Sequence, residues 1–330
     1  QYRPYLGIRD CIEALRFIMK NSDSSETYNV VSDNYKLSEV IEFIRSIRSV
    51  KLNKIETPLI NQYSYKVCTK KLQRLGFYPK DDISRGIFST MRTLQCLEVL
   101  ISGGEGRFAS EIINSNTEYD IYAPSKSEMD ISDIHSIRRA IYKFNPDIFL
   151  HPAALTRPML KHVDYPELSI GLNIIGTSNV CLACIERGKK LVYISTDYVY
   201  PGTTGDYKEE DPLLPVNQYA WSKLGGECAV KLYDNSLIIR VCMTEKPFVH
   251  PKALVDSQKS LMYIDDAAKV CLKIMDETGV INVGGEATTL YDFAKQERPD
   301  IEKIYRKDIK DVKMAKDSTM NMEKLRSILR

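Results

Sequence analysis

From residue 97 onward, short apolar runs alternate with longer stretches whose apolar positions recur every three or four residues. Residues 98–102 form a brief apolar run, too short for a helix, and read as a buried strand. The run passes into Gly103-Gly104-Glu105-Gly106-Arg107-Phe108-Ala109 and then a short helix. Residues 119–123, 147–151, 191–195 and 236–241 repeat the strand pattern. Between them lie helical stretches at 132–142, 166–187 and 217–233. Ser132 or Asp133 is placed to cap the first of these, and Gly188 to end the second. Strands that alternate with helices in this way predict an α/β fold with a Rossmann-like, doubly wound parallel sheet.

The same kind of pattern occurs twice at smaller scale. Tyr5-Leu6-Gly7-Ile8-Arg9-Asp10 opens a helix running to Met19, followed by Tyr28-Asn29-Val30 and a helix from Ser38. Met262-Tyr263-Ile264-Asp265-Asp266 opens a helix to Met275, followed by Ile281-Asn282-Val283 and a helix from Leu290. The closing parts also match, 69–75 against 321–326. The repeat divides the chain into 1–94, a segment like the last third of an upstream unit, 97–242, a nucleotide-binding core, and 243–330, a small C-terminal α/β substrate segment. It predicts a Rossmann portion ahead of Gln1. It also predicts that the apolar faces of 1–94 (Ile12, Leu15, Ile18) need a partner surface.

Composition narrows the class. Of 330 residues, 46 are basic and 44 acidic, so no charge excess points to nucleic acid or an anionic membrane. No apolar run is expected to reach the ~18 residues of a membrane span. The chain opens on the polar Gln1-Tyr2-Arg3-Pro4, which does not read as a signal peptide. Most of the eight cysteines fall inside apolar-periodic segments, which suggests a reducing, cytoplasmic setting. Cys181-Leu182-Ala183-Cys184 reads as apolar filler rather than a metal or redox pair, and the four histidines do not cluster.

Three motifs carry chemistry. Gly103, Gly106 and Ala109, directly after the first strand, allow a tight turn and close backbone approach to a pyrophosphate, which the N-terminus of the next helix favours; Arg107 and Phe108 complete the turn. At the end of the second strand, 123–127 offers no carboxylate for a ribose 2′-hydroxyl but does offer Ser125 and Lys126. With Arg107, Lys126 suits a 2′-phosphate, so NADP is expected, with NAD the alternative. Asp130 and Ile131 are placed for the adenine edge. Finally, Ser195-Thr196-Asp197 ends the fourth strand, and Tyr219 and Lys223 lie four apart on one helix face. An ammonium beside Tyr219 would lower its pKa and let the phenol exchange a proton with a carbonyl or alcohol, which Thr196 can also hydrogen-bond.

Together with His151-Pro152-Ala153-Ala154-Leu155-Thr156, Asn173-x-x-Gly176-Thr177 and Tyr263-Ile264-Asp265-Asp266, these motifs resemble the extended short-chain dehydrogenase/reductase family. The resemblance implies a catalytic set of Thr196, Tyr219 and Lys223. It places Ala153, Ala154, Thr156, Ser195, Tyr219 and Lys223 on the cofactor side, and Thr156, Asp197 and Tyr198 on the substrate side. Within the family, Met129-Asp130-Ile131-Ser132-Asp133, residues 195–200, Lys208-Glu209-Glu210-Asp211 and residues 315–320 look most like the dTDP-4-dehydrorhamnose reductases. A dehydratase would carry Glu where this chain has Tyr198, and the bifunctional epimerase–reductases carry Cys in place of Asp197. The expected activity is therefore NADPH-dependent reduction of a nucleotide-linked 4-keto-6-deoxy sugar by a homo-oligomer, as in rhamnose biosynthesis. The alternatives are a 4-epimerase or dehydratase with tightly held NAD, and a non-catalytic regulatory subunit. The stretch after Arg240 departs from the reductase pattern, in a region that helps bind the sugar nucleotide.

Overall fold

The computed structural model describes residues 2–21, 26–47, 64–93 and 97–329, and Cys96 lies outside them. The chain divides into two compact units, Gln1–Cys96 and Leu97–Arg330. The first holds β1 (Tyr2–Tyr5), α1 (Ile8–Asn21), β2 (Asp33–Lys36), α2 (Leu37–Ile47), α3 (Lys70–Arg74) and α4 (Ile83–Thr93). β1 and β2 pair antiparallel. Ala14, Leu72 and Phe77 form its small core, with Phe17, Ile18, Tyr28 and Val30 packed around them. Ile18 thus turns inward, whereas Ile12 and Leu15 stay exposed.

The second unit begins with β3 (Glu98–Ile101), α5 (Arg107–Ser115), β4 (Asp120–Tyr122), α6 (Ile134–Phe144) and β5 (Ile148–His151). Next come α7 (Lys161–Asp164), α8 (Pro166–Ser169), α9 (Thr177–Arg187), β6 (Lys190–Thr196), α10 (Gln218–Val230) and β7 (Ser236–Val241). A C-terminal part adds β8 (Met243–Thr244), β9 (Lys252–Leu254), β10 (Gln258–Lys259), β11 (Met262–Tyr263), α11 (Ile264–Ile274), β12 (Gly279–Val283), β13 (Thr288–Thr289), α12 (Leu290–Lys295), β14 (Glu302–Ile304) and α13 (Glu323–Leu329).

Six strands make one parallel sheet in the order β12-β7-β6-β5-β3-β4. β6 and β7 are buried along their whole length, which is why they read as unbroken apolar runs. On one face, Leu100, Phe149, Leu191, Tyr193 and Ile238 pack with Ile137 and Ile141 of α6 and Val180 and Cys184 of α9. α5 and α11 pack together elsewhere on the unit. Asp133 caps α6, accepting from the His135 N–H at 2.9 Å. Gly188 ends α9 in the left-handed conformation at φ 62°.

Two expectations need correction. The long helix is interrupted: Ile170–Gly176 widens into a π-helical turn between α8 and α9. The stretch Pro166–Arg187 is also long and apolar enough to cross a membrane, with mean hydropathy 1.7. Its apolarity has a local cause, because Val180, Cys181, Ala183 and Cys184 are buried in the layer against the sheet. Both cysteines of the C-x-x-C are free and buried, and burial raises both thiol pKa values. Among the described residues no group of three or more His, Cys, Asp or Glu could hold a metal.

Candidate active site

The site assembles at the carboxyl ends of β3, β5 and β6, where a parallel sheet leaves a crevice. β6 ends on Ser195 and Thr196 and turns tightly through Asp197–Val199. Thr196 accepts a hydrogen bond from the Tyr198 N–H (3.3 Å) and donates to Asp197 Oδ1 (3.2 Å). α10 starts beside this turn, with Asn217 capping it by accepting from the Ala220 N–H at 3.0 Å. Tyr219 therefore lies in the first turn and Lys223 one turn on.

α10 sits very close to β6. A Cβ on Gly226 would come within 2.5 Å of the Tyr193 hydroxyl, so only glycine fits there. That hydroxyl donates to the Lys223 carbonyl (3.2 Å), and the Lys223 ammonium lies 4.1 Å from the centre of the Tyr193 ring. Lys223 is 2% exposed. Burial pushes its pKa down to about 7, with Glu227 working against the fall. Tyr219 does not behave as its spacing from Lys223 suggests. Burial, then the Asp197 carboxylate, raise the phenol well above its usual range, and the Thr196 hydrogen bond and Lys259 only partly counter this.

Lys259 carries no motif signal and stands far from Asp197 in sequence. Its ammonium, 3% exposed, is ion-paired with Asp197 Oδ2, which also accepts from Ser318 Oγ at 2.7 Å. The ammonium stacks 3.5 Å from the centre of the Tyr198 ring. Burial acts to lower the Lys259 pKa, but the Asp197 charge overrides it and holds it high. Asp197 is thereby buried at 3% exposure and fully engaged, so it supports Thr196 from behind.

Asn173, in the π-helical turn, ties the β5 loop to α10. Its side chain accepts from the Leu155 N–H (2.7 Å) and donates to the Leu155 carbonyl (2.9 Å) and to Ser222 Oγ (2.8 Å). Half-buried Ala153, Ala154 and Thr156 are held in place by these bonds. Below them His151 bonds Ser102 (2.7 Å) and Thr177 (3.1 Å), and burial lowers its pKa to about 3, so it is a neutral strut.

The residues on the dinucleotide side form a fitting cradle. Gly103 has φ 62°, and a Cβ on Gly104 would come within 2.7 Å of Ala123. Gly106 is the N-cap of α5, and Phe108 and Ala109 are buried beneath it. Ser195 Oγ is buried with no hydrogen-bond partner among the described residues, a polar atom that a polar ligand would satisfy. Asp130 is tied to Ser132, whose N–H and hydroxyl it accepts at 2.9 and 2.7 Å, and Ile131 is buried beside it.

Two expectations about the cations change. Arg107 is ion-paired with Glu245, whose carboxylate also takes Arg157 at 2.7 and 3.1 Å. The end of the second strand does meet a carboxylate, because Glu128 folds back to accept from Ser125 N and Oγ, each at 2.9 Å. Lys126 remains exposed. Neither acid was legible, since Glu128 lies just past the expected position and Glu245 reaches Arg107 only through the fold.

Residues 97–244 match the family model described as RmlD substrate binding domain. This unit is a family-level match to that family and carries the dTDP-4-dehydrorhamnose reductase fold. A solved dTDP-4-dehydrorhamnose reductase from Bacillus anthracis, in complex with NADP, superposes with TM-score 0.63 at 25% identity, over 70% of this chain and 91% of that one. Among curated proteins, the bovine methionine adenosyltransferase 2 subunit beta is 29% identical over 174 residues, 50% of this chain and 51% of its own. The Bacillus subtilis spore coat polysaccharide biosynthesis protein SpsK is 35% identical over 149 residues, 43% of this chain and 52% of its own. The chain spans about half the length of these curated relatives. In this unit Thr196 ends β6 and hydrogen-bonds Tyr219, and Lys223 follows Tyr219 one turn on along α10.

Proposed function

We propose that the RmlD-type unit reduces the 4-keto group of a nucleotide-linked 4-keto-6-deoxy sugar, as an NADPH-dependent oxidoreductase. The observation that carries this reading is the Thr196 hydrogen bond to Tyr219, with Lys223 one turn on along α10 and Tyr198 where a dehydratase would need a second carboxylate. A reduced nicotinamide supplies hydride. The glycine turn at Gly103–Gly106 and the N-terminus of α5 would hold its pyrophosphate, Ser195 and the 153–156 loop its nicotinamide side, and Lys126 a 2′-phosphate.

The raised pKa of Tyr219 suits reduction. The phenol stays protonated at neutral pH and can give its proton to O4 as negative charge develops there. Thr196 steadies the same oxygen, and Lys223 lies one turn further along α10. The buried Asp197–Lys259 pair holds the Thr196 turn rigid.

NADP rather than NAD is favoured by Lys126 and by the NADP carried by the Bacillus anthracis structure; Glu128 is the feature favouring NAD. A second reading, a regulatory subunit, is favoured by the methionine adenosyltransferase beta relatives and by Glu245 closing on Arg107 and Arg157. One assay separates the two. Purified chain is given NADPH, or NADH, with dTDP-4-keto-6-deoxyglucose, and nicotinamide absorbance is followed. Reduction expects turnover that Tyr219→Phe abolishes. Binding of NADPH without turnover supports the regulatory reading.

A further inference from the structure

Among the described residues, the two copies of the small α/β motif differ in what covers them: the second is closed and the first is open. The pairing of Tyr2 with Lys36 mirrors that of Gln258 with Thr289, and each second strand runs straight into a helix. The backbone bond from Tyr65 N to Tyr2 O (3.4 Å) mirrors that from Ser318 N to Gln258 O (3.1 Å). In this alignment α1 falls on α11, residues 28–30 on Ile281-Asn282-Val283, and Leu72 on Leu325, both buried.

In the second unit two Rossmann elements cover the motif. β12 pairs in parallel with β7 over five positions, leaving Asn282 and Val283 wholly buried. α11 packs on α5, and its Ala268 and Cys271, with Met275 at its C-cap, are wholly buried. In the first unit Asn29, counterpart of Asn282, is exposed, and residues 29–31 belong to no strand among those described. On α1 the counterparts Ile12, Leu15 and Met19 are 43%, 58% and 84% exposed, and Ile8, at 74%, extends the stripe by one turn. These residues lie on a single helix face, opposite the one that packs Ala14 into the core. Among the described residues, an apolar stripe of this size beside a segment that joins no strand is a surface that binds.

We propose that residues 1–96 are a docking module for a Rossmann-type α/β domain. The partner adds a parallel edge strand at 29–31 and lays the helix that follows its first strand across Ile8, Ile12, Leu15 and Met19. The counterpart surfaces on residues 97–330 are already filled by β12 and α11, so the partner domain is a second one. Main-chain pairing gives the strand contact its strength, and the helix stripe gives it selectivity. The inference stands on packing alone and is independent of the reduction chemistry.

The test joins a second copy of this chain's residues 97–257 ahead of Tyr2 of the full chain and reads amide exchange by mass spectrometry. Slowing of about tenfold or more at 29–31 and along α1, relative to the parent chain, is expected. Ile12→Glu with Leu15→Glu should abolish the slowing while leaving the parent's melting temperature unchanged. A second fusion with Ile12→Ala and Leu15→Cys, which brings in the smaller side chains of α11, guards against a simple size mismatch. No slowing in either fusion overturns the proposal. So does loss of unit 1 folding when the parent carries the two glutamates, because that face would then already be covered.

Discussion

Lys223 holds a charge where the fold gives it little solvation, and removing that charge has a calculable effect. Burial lowers its pKa from 10.5 to about 7. At ~1.4 kcal/mol per pKa unit, the ceiling on the cost is about 5 kcal/mol at or below neutral pH. The Tyr193 ring and residual hydration reduce this, and about 2–4 kcal/mol is the expected effect. The sign follows from proton counting. Between about pH 7 and pH 10.5 the unfolded chain binds the proton and the folded chain does not, so stability rises with pH through that window and is flat below it. Lys223→Met keeps the length and drops the charge. It should stabilise the second unit by about 2–4 kcal/mol near pH 6 and by much less near pH 10. The chain's single tryptophan, Trp221, lies on α10 beside Lys223, so urea unfolding followed by its fluorescence reads this unit directly. A variant less stable than the parent near pH 6, or a difference independent of pH, would refute the reasoning. The same variant should lose the proposed reductase activity, a trade of function for stability.

Other parts of the site make their own predictions. Tyr219→Phe should lower kcat by about 10²–10⁴ with NADPH affinity unchanged, as measured by steady-state rates and nicotinamide fluorescence. Lys259→Met leaves Asp197 buried and unpaired and should cost about 3–5 kcal/mol in urea unfolding, of which adding Asp197→Asn restores a part. Asn173→Ala strands the Leu155 N–H and carbonyl and should cost about 2–3 kcal/mol while raising KM for the dinucleotide, since the 153–156 loop loosens. Glu245→Gln releases Arg107 and Arg157 and should tighten NADPH binding severalfold, most strongly at low salt; an unchanged Kd would show that the carboxylate does not compete with phosphate.

Elements with strong local signals were legible. The alternation of strand and helix, the Gly103 turn, the Asp133 cap and the Gly188 stop each depend on neighbours a few residues away, and the structure has them. The π-helical turn at Ile170–Gly176 could not be read, because it serves to seat Asn173 against a loop and a helix distant in sequence. Lys259 and Glu245 escaped for a related reason. Each is an ordinary charged residue until the fold brings it to Asp197 or Arg107. The expected lowering of the Tyr219 pKa failed because spacing on a helix says nothing of burial or of the Asp197 charge nearby. The apolar stretch of Pro166–Arg187 was underestimated, since its scattered Asn, Ser and Thr break up the apolar run without adding charge.

Hydride transfer to the sugar is the centre of the proposed function. The direct measurement incubates the chain with dTDP-4-keto-6-deoxyglucose and NADPH deuterated at the transferable position, then weighs the sugar nucleotide by mass spectrometry. The account predicts one deuterium at C4 of the 6-deoxy sugar, formed by the parent chain and not by Tyr219→Phe. An unlabelled, unreduced sugar alongside intact NADPH binding would contradict it.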